Sequence, residues 1–197
     1  MRKAVVISWL GIIVLVMAVL FWHNELVYTL PTPVPEKYVD VHSGEAIDLS
    51  HYMTVSKEKP QFLHFFNPTC PCSRFNMPHF KSLVAEYGHA VNFGIVVMSS
   101  NTYTEKEIQE KYDLSIPVYF DSTIAAGCGV YSTPQAVIID KDQRLHYRGN
   151  YNKSRYCTDK KTNYAQIALE GLLLRQPVIF DAFATKAYGC QLPKCNK

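Results

Sequence analysis

The chain has 197 residues, 48% of them hydrophobic, which is enough for one sizeable core and an appendage. Its 20 Lys and Arg residues nearly balance its 17 Asp and Glu residues, and the net charge is only +3. Because the charge is small and no basic stripe is interleaved with aromatic residues, the composition argues against a nucleic-acid-binding protein.

The N-terminal segment is a candidate membrane anchor. Arg2 and Lys3 precede an apolar run from Ala4 to Trp22, which as a helix spans about 28 Å, close to the roughly 30 Å of a hydrocarbon core. A cleaved signal peptide is the alternative, but its apolar core would be shorter and a small-residue cleavage site would follow, which is missing after Ala18. We therefore expect a single-pass anchor with its N-terminus in the cytoplasm. In a bacterium this places the rest beyond the inner membrane, in the periplasm, whose oxidising conditions suit six cysteines.

Composition divides the chain into four parts: an anchor at 1–24, a linker at 25–37 stiffened by prolines, a globular domain at 38–180 and a tail at 181–197. Strands are predicted at 39–41, 46–49, 62–66, 90–98, 116–120, 136–140 and 145–148. Helices are predicted from Phe75, at 104–112 with Thr104 and Glu107 as a capping box, at 123–127, and at 160–174. This alternation predicts an α/β fold with helices on both faces of a sheet.

Two cysteines follow the apolar strand at 62–66. The turn Asn67-Pro68-Thr69 leads into Cys70 and Cys72, and a helical pattern begins directly after them. The unpaired N–H groups and the dipole of a helix N-terminus favour a negative charge, and the thiolate is the reactive form of cysteine. Cys70 and Cys72 are therefore the candidate catalytic residues.

Two segments carry a family resemblance. Residues 62–70, Phe-Leu-His-Phe-Phe-Asn-Pro-Thr-Cys, and residues 131–140, Tyr-Ser-Thr-Pro-Gln-Ala-Val-Ile-Ile-Asp, resemble the active-site strand and the cis-proline loop of thioredoxin-like proteins, in the redoxin branch. The resemblance covers about residues 39–177. It implies a central mixed sheet, a cis bond between Thr133 and Pro134, and exchange with protein thiols and disulfides. It implies neither a cofactor nor a resident metal ion.

The chain departs from this family at the second cysteine. The family carries Cys-x-x-Cys, whereas residues 70–73 read Cys-Pro-Cys-Ser. His64, in place of a buried acid, and Pro78, in place of a helix proline, set the register. Cys70 then matches the nucleophile and Ser73 stands where the resolving cysteine would be. A Cys70–Cys72 disulfide would close a small, strained ring. His64 is either a general base beneath the site or a satisfied core histidine.

Four further cysteines are possible resolving or structural residues: Cys128, Cys157, Cys190 and Cys195. In the structural interpretation they pair as Cys190–Cys195 or Cys128–Cys157. In the functional interpretation Cys128, expected near the active-site face, or Cys157 resolves a mixed disulfide on Cys70. Sequence alone does not determine the connectivity.

Three functions remain open. The first, which we favour, is a membrane-anchored thiol-disulfide oxidoreductase. The second is a peroxide-reducing redoxin, suggested by the spacing of Thr69 and Cys72, although Phe65 stands where that family has proline. The third is a copper-binding assembly factor, because paired cysteines near a histidine or methionine suit Cu(I); His146 is the one distant histidine candidate.

Overall fold

A computed structural model of the chain describes residues 2–26, 29–53 and 57–192. Its α-helices are α1 (Arg2–Phe21), α2 (Pro71–Tyr87), α3 (Glu105–Tyr112), α4 (Ser122–Gly127), α5 (Tyr164–Leu174) and α6 (Ala182–Thr185). Its strands are β1 (Gln61–Phe66), β2 (Asn92–Val97), β3 (Val118–Tyr119), β4 (Ser132–Thr133), β5 (Gln135–Ile139), β6 (Leu145–Gly149) and β7 (Cys190–Gln191). A π-helical turn, Trp22–Leu26, continues α1, and a 3-10 turn, Lys160–Thr162, precedes α5.

A mixed sheet forms the centre of the domain. Within the described residues its strands run in the order β3, β2, β1, β5, β6. Strand β1 pairs parallel with β2 and antiparallel with β5, and all six of its residues are buried. A continuous apolar run is typical of a strand that is covered on both faces. The chain leaves the carboxyl end of β1 directly into the turn that carries Cys70.

The two faces of the sheet have separate cores, because successive side chains of a strand point to opposite faces. Phe62 and Phe66 of β1 pack with Phe80 of α2 and with residues of α3 and α5. Leu63 and Phe65 pack on the other face with residues that include those of α4. The predicted α/β fold with a helix-covered mixed sheet is confirmed.

Two local predictions have different outcomes. The capping box at α3 is present, since the Thr104 side chain accepts from the Glu107 N–H and the Glu107 carboxylate accepts from the Thr104 N–H. The prediction of two leading strands, at 39–41 and 46–49, is wrong. That segment instead makes irregular backbone bonds beside β6, including Leu145 N–H to the Glu45 carbonyl, with an isolated bridge between Ala46 and Arg144.

The segments before and after the central domain both make contacts with it. Helix α1 is apolar and unburied, and with its π-helical continuation it is long enough to cross a membrane. The sequence separated 181–197 from the domain, but residues 181–192 pack onto it: Ala184 is fully buried and its carbonyl accepts from the Asn150 N–H. The linker also touches the domain, since the Thr32 N–H donates to the Ala187 carbonyl at 2.9 Å.

Candidate functional site

The turn between β1 and α2 is built by Asn67. Its side-chain oxygen accepts from the Thr69 N–H at 3.0 Å and from the Thr69 hydroxyl at 2.7 Å, an arrangement that favours a tight turn. Its backbone N–H donates to the Ser73 hydroxyl at 3.1 Å. Ser73, which stands where the family has its resolving cysteine, therefore joins the end of β1 to the first turn of α2. The helix begins directly after Cys70, which is its N-cap, and so starts before the helical pattern that the sequence shows from Phe75.

Three cysteines meet at this helix N-terminus. Cys70 is disulfide-bonded to Cys190, which lies 120 residues further along the chain. The sulfur of Cys72 belongs to the same group, and the three Sγ atoms lie within 4.8 Å of one another. All three side chains are buried and pack on each other. This group, Cys70, Cys72 and Cys190, is called the sulfur cluster below.

The disulfide corrects the expected pairings. Cys70 pairs with neither Cys72 nor the two candidate resolving cysteines Cys128 and Cys157, and those two do not pair with each other. Cys190 is bonded to Cys70, so the expected Cys190–Cys195 bond is not formed; Cys195 itself lies outside the described residues. The sequence named Cys190 as a candidate but had no means of assigning Cys70 as its partner.

Cys190 reaches the cluster on a short strand that lies beside the proline loop. Strand β7 is antiparallel to β4, and Cys190 is opposite Thr133. The Thr133–Pro134 bond is cis. Gly189 packs so closely on the Thr133 carbonyl that a Cβ atom there would overlap its oxygen. The Thr32 hydroxyl donates to the Gly189 carbonyl at 3.0 Å, so the linker also holds the residue before this strand.

A cavity of about 330 Å³ opens beside Cys72. Its wall includes Pro134, Gly189 and Arg155, and also Glu25 just beyond α1. Arg155 interacts electrostatically with Cys72 and forms an ion pair with Glu25 at 3.0 Å. The sequence analysis missed Arg155, and no local pattern could have indicated it, because the residue comes from an irregular loop.

His64 is a core residue beneath the site. Its ring stacks on Phe80, with centroids 4.5 Å apart, and burial lowers its pKa to about 3. Burial raises the pKa of Tyr151 well above its usual range, so the Tyr151 hydroxyl keeps its proton and donates to His64 Nδ1 at 2.6 Å. His64 is thus a neutral core residue that is only partly satisfied, because its Nε2 is buried without a hydrogen-bond partner among the described residues. A group with so low a pKa is a poor general base.

Cys128 and Cys157 occupy environments unlike that of the sulfur cluster. Cys128 belongs to the core on the opposite face of the sheet, so the expectation that it approaches the active-site face is wrong. The Cys157 thiol donates to the Asn76 side-chain oxygen at 2.9 Å. Burial raises the pKa of each thiol to about 12. Both therefore stay protonated at neutral pH and are poor nucleophiles.

The chain is similar in structure to several solved proteins. The chain is similar to a hypothetical protein from Sinorhizobium meliloti, at 15% identity and TM-score 0.65, over 79% of this chain and 96% of that one. It is also similar to an uncharacterised conserved protein from Geobacillus kaustophilus, at 17% identity and TM-score 0.63, over 82% and 97%. A thioredoxin family thiol:disulfide interchange protein from Chlorobium tepidum aligns at 14% identity and TM-score 0.49, over 68% and 99%. The mixed sheet, and the cysteine-bearing helix that follows its central strand, make the fold thioredoxin-like.

The particular family is defined by sequence. Residues 41–195 match the family described as "Domain of unknown function (DUF6436)", and the chain belongs to it. The comparison with curated proteins yields no match. The family match runs past residue 181, in agreement with the packing of residues 181–192 onto the domain.

Proposed function

We propose that this protein is a membrane-anchored thiol-disulfide oxidoreductase whose working disulfide is Cys70–Cys190. One observation carries the proposal: the cysteine at the N-cap of α2 is bonded to a cysteine on a strand that lies against the proline loop. Cys190 thus takes the resolving role that the sequence analysis gave to Cys128 or Cys157. Cys70 is the partner that leaves this disulfide as a thiolate, and Cys72 is the catalytic cysteine that exchanges with the substrate.

Cys72 connects the disulfide to the cavity. Of the three sulfur-cluster residues, Cys72 is the one in the cavity wall, and its sulfur is within 4.8 Å of both others. Its thiolate attacks Cys190 Sγ, so that a Cys72–Cys190 bond forms while the Cys70–Cys190 bond breaks. Cys70 leaves as a thiolate, whose negative charge the N-terminus of α2 stabilises. The disulfide has then moved one step toward the cavity.

A substrate dithiol completes the exchange. Its first thiolate attacks Cys72 Sγ from the cavity, and Cys190 leaves as a thiolate. Its second thiolate attacks the substrate sulfur of this mixed disulfide, which closes the substrate disulfide and releases Cys72. The substrate loses two electrons and two protons, and the Cys70–Cys190 pair gains them. The reverse sequence reduces a substrate disulfide, so the same residues serve either direction.

Serine variants of the full-length chain in detergent test this scheme, with oxidation of a dithiol peptide as the readout. Cys72→Ser and Cys190→Ser should each lower the exchange rate more than about 100-fold, because each removes one of the two sulfurs of the disulfide that the substrate attacks. Cys72→Ser should keep the Cys70–Cys190 bond but slow its exchange with the peptide. Cys128→Ser is the matched control and should exchange like the wild type. Wild-type exchange by Cys190→Ser would show that Cys190 is not the resolving residue.

The anchor and its orientation are part of the proposal. Helix α1 is apolar and unburied, and Arg2 and Lys3 precede its apolar stretch, which favours a cytoplasmic N-terminus and a periplasmic domain. Residues 1–24 then form the anchor, 25–37 the linker and 38–192 the domain. Alkaline phosphatase fused after Pro35 should be active in cells, whereas a fusion that also carries a deletion of residues 4–22 should not. An inactive Pro35 fusion would contradict this orientation.

The peroxide-reducing alternative gains no support from Thr69. Its hydroxyl donates to Asn67 within the turn, which accounts for this residue structurally.

A further inference from the structure

The sulfur cluster has the composition of a metal site as well as of a disulfide. Cys70, Cys72 and Cys190 come from two segments 120 residues apart, yet their Sγ atoms all lie within 4.8 Å of one another. Their side chains are at most 4% exposed. The cluster therefore holds three sulfur atoms in one enclosed place.

The spacing of the three sulfurs fits a single ion. A metal–sulfur bond of about 2.3 Å puts three sulfurs about 4 Å apart when they surround the ion in a plane. The observed limit of 4.8 Å for the whole cluster is compatible with that triangle. The disulfide holds two of the sulfurs together, so the metal and the disulfide exclude each other.

The number and type of ligands select the metal. Among the described His, Cys, Asp and Glu residues, this group consists of three cysteines and contains no fourth ligand. Zn²⁺ in structural sites takes four ligands in a tetrahedron, and soft thiolate ligands suit Cu(I). A three-sulfur site enclosed by protein therefore favours monovalent copper.

Charge near the cluster supports an anionic site. One Cu(I) ion with three thiolates carries a net charge of −2. Cys70 is the N-cap of α2, and a helix N-terminus stabilises negative charge. Arg155 adds a positive charge that acts on Cys72, although its ion pair with Glu25 offsets part of it.

We propose that the reduced protein binds one Cu(I) ion through the sulfur atoms of Cys70, Cys72 and Cys190. A dithiol reductant opens the site: it transfers two electrons and two protons to the Cys70–Cys190 disulfide and becomes a disulfide itself. Cu(I) then displaces the thiol protons as it binds. This proposal does not depend on the exchange activity, because a chain that exchanges no disulfides would still present the three sulfurs when reduced.

A chelator competition tests the proposal. The full-length chain in detergent is reduced with excess dithiol, freed of the reductant without oxygen, and titrated with Cu(I) against a coloured Cu(I) chelator. One equivalent should bind. Cys190→Ser should weaken binding more than about 100-fold, beyond the 10–100-fold that loss of an outer partner causes. Cys128→Ser, on the opposite face of the sheet, should bind like the wild type.

X-ray absorption of the loaded protein gives an independent readout. Three sulfur neighbours at a single distance, and no nitrogen neighbour, are the expected result. The proposal is overturned if the chelator retains all the copper, if Cys190→Ser binds as tightly as the wild type, or if a different set of neighbours surrounds the ion. Dithiol-peptide exchange is measured on the same preparations, so a failure of copper binding is distinguishable from a failure of the proposed oxidoreductase function.

Discussion

The sulfur cluster and the core cysteines differ in their neighbours rather than in their burial. Cys70 and Cys128 are both fully buried. Cys70 lies at a helix N-terminus beside two other sulfurs, whereas Cys128 lies among aliphatic and aromatic side chains on the other face of the sheet. Cys157 and His64, like Cys128, lie outside the sulfur cluster. The Cys157 thiol bonds to Asn76, and the His64 ring bonds to Tyr151. Burial alone therefore does not identify a reactive group in this fold.

The largest expected difference between the core cysteines and the sulfur cluster is in their alkylation rates. At pH 8 a thiol with a pKa of about 12 has a thiolate fraction about 1000-fold below that of an unperturbed cysteine. Cys128 and Cys157 should thus react at least about 1000-fold more slowly in the folded chain than after denaturation. Cys72, which lines the cavity, should be labelled first in the oxidised folded chain. Peptide mapping after iodoacetamide pulses measures all three.

The denatured chain is the control for these rates, since its cysteines should react alike. Folded-state labelling of Cys128 or Cys157 at the rate of the denatured chain would remove the distinction between the two groups of cysteines.

The Gly189→Ala substitution should weaken the Cys70–Cys190 disulfide although it changes no cysteine. In Gly189→Ala the new Cβ overlaps the Thr133 carbonyl oxygen, so β7 must shift away from β4. Overpacking of this kind costs about 1–3 kcal/mol. The equilibrium between the Cys70–Cys190 disulfide and the dithiol, measured in glutathione buffers by thiol trapping, should move toward the dithiol by about 5- to 150-fold.

Gly127→Ala is the matched control for that experiment. Its Cβ would meet Leu49 at an ordinary 3.8 Å, so the glutathione equilibrium should be unchanged. An equal shift in both variants would mean that the close packing of Gly189 does not hold Cys190 in place.

The smallest effect concerns His64 and the pH dependence of stability. Burial lowers the pKa of His64 to about 3, so between pH 6.5 and pH 3 the unfolded chain binds a proton that the folded chain does not. This stability contribution is present above pH 6.5 and is lost as the pH falls, by about 2 kcal/mol between pH 7 and pH 5. Urea unfolding of the full-length chain at both pH values measures it.

His64→Gln removes the titrating group but keeps an acceptor for the Tyr151 hydroxyl. Its loss of stability between pH 7 and pH 5 should be smaller than that of the wild type by the same amount. If the two proteins lost the same stability between pH 7 and pH 5, His64 would not be a buried histidine with a lowered pKa.

Local sequence determined much of the scaffold. The apolar run of β1, the turn at Asn67, the presence of a helix after Cys70 and the capping box of α3 all followed from patterns within a few residues, because periodicity and capping are local properties. The apolar length of α1 was evident for the same reason. The strands predicted at 39–41 and 46–49 failed because short apolar runs carry no information about which edge they pair with.

Tertiary structure decided the site. Strand β7 has two residues, too few for any periodic signal, and its place beside β4 depends on the close approach of Gly189 to Thr133 and on support from Thr32. That placement brings Cys190 to Cys70 across 120 residues, and an irregular loop brings Arg155 to Cys72. Sequence presented six cysteines with no basis for choosing among their pairings. The choice depends on which distant segments the folded chain holds together, and such contacts leave no pattern within a local stretch of sequence.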